Sequence, residues 1–216
     1  MATHAVRKPP ATHAKTLRGS SVFRNTVLFH ESDLERRVST YLQLRKDLKA
    51  IYSQYPVLLY RDADGVWCEH ICDYCVVFED GHMVAVPVKH ARKTAAMRDL
   101  MARIKAEGYL RKNKNGTVTA GAVHDIRLMT EREATYGAYE NAMRIMRARR
   151  MRDDDEYERA LAIVQTLSGY FRFGDLLRNC RDHAARRTAI LLLIDDRVLV
   201  PETPGPIDDL TVMVRR

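Results

Sequence analysis

Glu79-Asp80-Gly81 separates two runs rich in Val, Ile and aromatic residues, and the stretch it centres, His70 to Lys89, restricts the fold more than any other. Asp-Gly between such runs is a strong signal for a β-hairpin, because glycine supplies the positive φ the turn needs. With Asp73 early on the first strand and Lys89 late on the second, antiparallel pairing brings both to one end of the hairpin. A carboxylate and an ammonium placed there suit phosphoryl chemistry, the acid holding a divalent metal and the lysine offsetting charge. A solvated strand edge with charged residues gives the same pattern, so the pair alone does not decide.

Upstream, Ser32-Asp33-Leu34-Glu35 is a capping-box start, and Leu34, Val38, Tyr41, Leu42, Arg45 and Leu48 follow at helical spacing. Glu35 therefore has a structural use as the reciprocal cap besides any chemical one. Pro56–Tyr60 reads as a strand, Asp62–Gly65 as a turn, and Val66–Ile71 as the partner strand, running on or bending into the Asp73 strand. Downstream, Thr94–Glu107 repeats Met97, Leu100, Met101 and Ile104 at helical spacing and stops at Gly108. Arg92 and Lys93, just ahead of it, are candidates to flank a phosphate-binding cleft, although a solvated helix face is the more frequent reason for such residues. Lys112–Gly116 is a turn. Ile126–Met129 is the next strand, ending at Thr130-Glu131-Arg132-Glu133, a second capping-box start. Strand then helix repeats, which predicts an α/β organisation with helices packed on a sheet.

A basic run meets Asp153-Asp154-Asp155 between Arg147 and Glu156, and this charged hinge is the expected domain boundary. Beyond it come an amphipathic helix at Tyr157–Leu167, a short helix at Phe173–Cys180, a third at Ala184–Ile194, and two strands, Arg197–Val200 and Leu210–Val214. Three helices then a hairpin is the winged-helix order. In such a module the third helix often enters the major groove, making Arg186 and Arg187 the candidate DNA contacts; protein docking is the other common use. The expected division is a basic flexible arm at 1–21, a first domain at 22–150 and a winged-helix-like domain at 151–216.

The formal net charge of +8 and pI of 9.4 favour a polyanionic partner such as DNA. No apolar run approaches a membrane span and no signal segment opens the chain. Cys68, Cys72, Cys75 and Cys180 lack the paired spacing of a disulfide framework or a structural zinc site, which suits free thiols and a cytoplasmic protein. No glycine-rich phosphate loop is present.

Three features in order, Ser32–Arg36, the strand aspartate of His70–Tyr74, and Val86-Pro87-Val88-Lys89, resemble the TnsA-type transposon endonucleases of the restriction-endonuclease-like, PD-(D/E)xK, superfamily. Ile126–Glu131 and Asn141 are similar to that family's later strand, Thr-Glu cap and following helix. The resemblance covers residues 22 to 150. It implies a central mixed sheet flanked by helices, with the winged-helix tail matching the family's two-domain plan. It also implies Mg²⁺ or Mn²⁺ held by Glu35 and Asp73, Lys89 beside the attacking water or the scissile phosphate, and a transposase or ATPase regulator as partner. The departure is Pro87, standing where the family has Glu, Asp or Gln. A proline side chain binds no metal, so the resemblance also admits a catalytically lapsed nuclease fold retained as a DNA-binding or assembly subunit. A proline there further predicts a strand edge or bulge.

Overall fold

A computed structural model describes residues 19–113 and 115–216. They fall into two compact units that divide between Thr135 and Tyr136. Positions 1–18 of the expected arm, and Lys114 in the expected 112–116 turn, lie outside the described residues, while Gly19 to Ser21 are already strand.

The first unit opens with an antiparallel hairpin, β1 (Gly19–Phe23) and β2 (Thr26–His30), turning at Arg24 with φ 52°. Helix α1 (Asp33–Leu42) begins at the expected cap, where the Ser32 hydroxyl accepts the Glu35 N–H. It ends six residues before Leu48, which instead opens strand β3 (Leu48–Ser53). Leu48 satisfies both the helical repeat and a strand in which Leu48 and Ile51 are buried. Pairing of β3 with β6, Ile51 opposite Val76, decides between the two.

Strands β4 (Val57–Arg61) and β5 (Trp67–Ile71) form the expected hairpin, and the chain then passes through Cys72 and Asp73 into β6 (Tyr74–Phe78). The Glu79-Asp80-Gly81 loop returns it as β7 (Met83–Val86), with Gly81 at φ 85°. After a 3₁₀ turn (Ala91–Lys93) come α2 (Ala95–Ala106), β8 (Arg111–Lys112), β9 (Val118–Thr119) and β10 (Asp125–Ile126).

Two four-stranded sheets result, ordered β10-β7-β6-β3 and β5-β4-β8-β9. In the first, β3, β6 and β7 are mutually antiparallel and β10 runs parallel to β7. Helix α1 covers one face of this sheet, where Leu34, Val38 and Leu42 meet Ile51, Tyr74, Val76 and Val86. On the other face Ile104 of α2 joins Leu58, Cys75, Ala85 and Ile126. The unit is thus mixed α/β with a helix on each face of a central sheet, held mainly by apolar burial.

The second unit begins with α3 (Tyr136–Arg150) and α4 (Asp154–Thr166). The expected boundary at 150/151 falls between these helices, inside this unit. Its charged run has a local cause: Arg147, Arg149 and Arg150 end α3, Asp153 caps α4, and Asp154 to Glu156 fill the first turn of α4. Cations at a helix C-terminus and anions at the next N-terminus both oppose the helix dipoles favourably. The expected helix start at Thr130 closes only one turn: Glu133 accepts from the Thr130 N–H and hydroxyl, but α3 starts at Tyr136. The Ala134 carbonyl there accepts from buried Arg37 instead of continuing a helix.

Strand β11 (Tyr170–Arg172), a 3₁₀ turn (Phe173–Leu177), α5 (His183–Asp195), β12 (Leu199–Pro201) and β13 (Val212–Arg215) complete the chain. These three strands form an antiparallel sheet ordered β11-β13-β12. The expected second helix is this 3₁₀ turn, and β11 is an additional strand. Among the described residues no helix is long and apolar enough to cross a membrane.

Candidate functional site

Asp73 occupies the point where one extended run changes partners, β5 pairing with β4 before it and β6 with β3 after it. Its carbonyl accepts from Gln54, while the neighbouring Cys72 carbonyl accepts from Tyr55, so the backbone is held on the side of the preceding loop. The Asp73 Oδ2 accepts the Val88 N–H at 2.7 Å. The hairpin register, Tyr74 opposite Val86, sets these positions side by side as the sequence spacing predicts.

Glu35 lies in the first turn of α1. Its carboxylate receives the Glu31 N–H at 2.8 Å on Oε2 and the Ser32 hydroxyl at 2.9 Å on Oε1. It is 8% exposed. Burial pushes its pKa up to about 7, and the charges of Asp73 and Glu31 push the same way against the two hydrogen bonds. The Asp73 charge thus reaches Glu35 and disfavours its ionised form. Beneath them Tyr74 donates to the Glu35 carbonyl at 3.2 Å, and its hydroxyl lies 2.7 Å from His30 Nδ1. Burial and the Arg36 charge lower the His30 pKa to about 4, so this imidazole is neutral at pH 7.

Lys89 follows a different neighbour. It is half-buried, its N–H donates to the Met129 carbonyl, and its charge acts on His70, whose pKa burial and Lys89 together lower to about 4. His70 Nε2 is enclosed without a hydrogen-bond partner. Lys89 forms no ion pair with Glu35 or Asp73 among the described residues. Alternation along the strand accounts for this: Val86 and Val88 join the α1-side core and Ala85 the α2-side core, so residues 87 and 89 belong with Ala85.

Pro87 lies one residue past the end of β7, where the regular pairing with β6 and β10 stops and a single Val88–Met129 bridge follows, an interruption of the kind a missing N–H predicts. It is buried, and its carbonyl accepts the Met129 N–H at 3.0 Å, prolonging the parallel β7–β10 ladder toward the Val88–Met129 bridge. The ladder tolerates proline because only one N–H is lost, and the next one, Val88, turns the other way onto Asp73.

Arg92 and Lys93 are exposed on the 3₁₀ turn that follows Lys89. Glu131, missed by the sequence reading as a site neighbour, accepts the Ala91 N–H and sits 3.4 Å from His90 Nδ1, anchoring that turn. Nothing in the local sequence links Ala91 to Glu131; the contact spans 40 residues.

Arg186 is corrected. It is 5% exposed in the core of the second unit, where Nε donates to Glu156 and a second nitrogen to the Leu176 carbonyl at 3.2 Å. A guanidinium so placed cannot reach a groove of DNA. Arg187 is half-buried and held by both oxygens of Asp209. Helix α5 is moreover packed by α3, with Arg149 bidentate to Asp195 at 2.8 and 2.7 Å. Asn141, expected within the first domain on the helix after the Thr-Glu cap, belongs instead to the second unit and to this packing, its side chain bonding Gly205 and Ile207 in the loop before β13.

No cluster of three or more His, Cys, Asp or Glu suited to a metal gathers among the described residues, and the four cysteines are free thiols. Comparison with known protein families and with curated proteins finds no match.

Proposed function

We propose that the chain is a TnsA-like, metal-dependent DNA endonuclease of restriction-endonuclease-like fold, acting in transposition or related processing of mobile DNA. The observation that carries this reading is that buried Glu35 feels the charge of Asp73, which the Val88 N–H holds beside the end of a sheet ordered β10-β7-β6-β3. The succession α1, β3, β6, β7, α2, β10, with three antiparallel strands and a parallel fourth, supports the same fold. In the second unit, α4, β11, a 3₁₀ turn, α5 and a β12–β13 hairpin support a winged-helix reading.

The donor set suits a hard divalent ion. Two carboxylates whose charges oppose each other, one with its proton held up to about 7, are relieved by a cation, and Mg²⁺ commonly takes one or two carboxylates with water completing its shell. Glu35 and Asp73 would hold it. When bound, such an ion supplies Lewis-acid polarisation of the phosphodiester and a more acidic water. The chain's own groups do the positioning: Glu31 and Ser32 aim Glu35, Val88 aims Asp73, and Lys89, Arg92 and Lys93 offer positive charge to a phosphate backbone. Target choice is assigned to a transposase or ATPase regulator.

A second reading, the lapsed nuclease fold serving as a DNA-binding or assembly subunit, is favoured by Pro87. Residue 87 gives the metal no side-chain donor, and its carbonyl is occupied by Met129. Coverage of α5 by α3 points the second unit toward docking more than groove reading.

Calorimetry with Mg²⁺ and Mn²⁺ tests the first reading. Binding to the native protein that disappears in Asp73→Ala, with metal-dependent nicking of supercoiled DNA, is the expected result. Absence of binding in both proteins would overturn it. Cleavage gained only by Pro87→Glu would establish the second reading.

A further inference from the structure

The second unit contains a cleft of about 420 Å³, of a size that holds a small organic ligand. Its apolar wall comes from Phe173, Leu191, Ile207 and Met151, and its rim carries Arg144, Arg147 and Arg187. Two of the three cations are committed: Arg144 donates to the Ile207 carbonyl at 2.7 Å, and Arg187 grips Asp209. Arg147 is exposed, and among the described residues its guanidinium has no hydrogen-bond or ion-pair partner.

The walls are fixed independently of any ligand. Asn141 pins the loop carrying Ile207, the Arg149–Asp195 pair ties α3 to α5, and the Arg187 guanidinium lies 5.4 Å from the Phe173 ring centre. An apolar recess with one uncommitted guanidinium at its mouth matches a molecule with a hydrophobic body and a single anionic end. A neutral apolar molecule leaves Arg147 unused, and an inorganic anion leaves the wall unused. Asp209 blocks Arg187, so the anion is drawn to Arg147.

We propose that this cleft is a binding site for a small amphipathic organic anion, an aromatic or branched apolar body bearing one carboxylate, sulfonate or phosphate. The assignment is independent of the nuclease reading, since no residue of the Glu35–Asp73 site takes part.

The test uses the full chain and two probes of nearly the same body, 1-anilinonaphthalene-8-sulfonate and the uncharged N-phenyl-1-naphthylamine, titrated by fluorescence. The sulfonate is expected to bind saturably at one site, at least tenfold more tightly than the neutral probe. Arg147→Ala should remove that tenfold preference while leaving the neutral probe unchanged. Ala184→Trp, which fills the cleft from an exposed position on α5, should abolish binding of both. Circular dichroism and melting establish that both variants fold. Non-saturable binding, equal affinity for the two probes, or sulfonate binding unchanged by Arg147→Ala or Ala184→Trp in folded protein would each overturn the assignment.

Discussion

Glu35 illustrates how one side chain serves two demands. The sequence identifies it as a cap, and it is one, but the fold buries it within reach of the Asp73 charge and raises its pKa from 4.5 to about 7. Between those values the native state binds more protons than the unfolded chain, so this group's contribution to stability falls as pH rises through the window. His30 and His70 act oppositely: with pKa values lowered to about 4, they add stability as pH rises from 4 to 6.5. Glu35→Gln isolates the first effect. Relative to the native protein, the variant should gain on the order of 3 kcal/mol between pH 4.5 and 7.5, at 1.36 kcal/mol per pKa unit. Urea denaturation at the two pH values checks this, and a pH-independent difference would refute burial as the cause. Arg186 is the contrasting case. Its place in the sequence resembled a recognition-helix position, yet it is buried against Glu156. Arg186→Ala should cost about 3 kcal/mol of stability, because it leaves the buried Glu156 carboxylate with only the more exposed Arg159 as a cation partner. A drop in DNA affinity without loss of stability would contradict that placement.

Among the elements, the hairpin β6–β7 was legible because its information is local. Gly81 at φ 85° closes a three-residue loop in which Gly81 donates to Phe78 and His82 to Asp80 Oδ1. A Cβ at position 81 would meet nothing within 4 Å, so Gly81→Ala tests backbone conformation alone. Thermal unfolding should register a loss of about 1–2 kcal/mol, the cost of a left-handed residue. Strand β3 and hairpin β1–β2 were not legible. Leu48 and Ile51 are spaced as in a helix, and only the pairing with β6, with an irregularity after Leu48, puts both into the α1-side core as strand residues. Lys89 was assigned to the correct end of the hairpin, but sequence distance says nothing of the face it takes. Strand alternation carries it toward His70 and away from Glu35.

For the whole molecule, the division at Thr135 changes what the second unit is. Residues 136–216 hold fourteen arginines, no lysine and thirteen acidic residues, so nearly all of the +8 net charge lies in the preceding 135. The unit's own packing explains why it includes α3: Arg149 pairs with Asp195, and Gly137 approaches Pro206 so closely that a Cβ would lie 2.9 Å from its nitrogen. A fragment of residues 136–216 should unfold cooperatively, while residues 151–216, lacking α3, should not; circular dichroism during melting distinguishes them, and cooperative melting of the shorter piece would restore the boundary at 150. The amino-acid sequence by itself determined the caps, the Asp-Gly turn, the apolar faces of α1 and α2 and the neighbourhood of Asp73 and Lys89, because each rests on contacts within a few residues. Tertiary structure alone decided that the Asp73 charge reaches Glu35, that Pro87 and Arg186 are buried and that α3 packs on α5, since burial and charge coupling arise only when distant segments exclude water together.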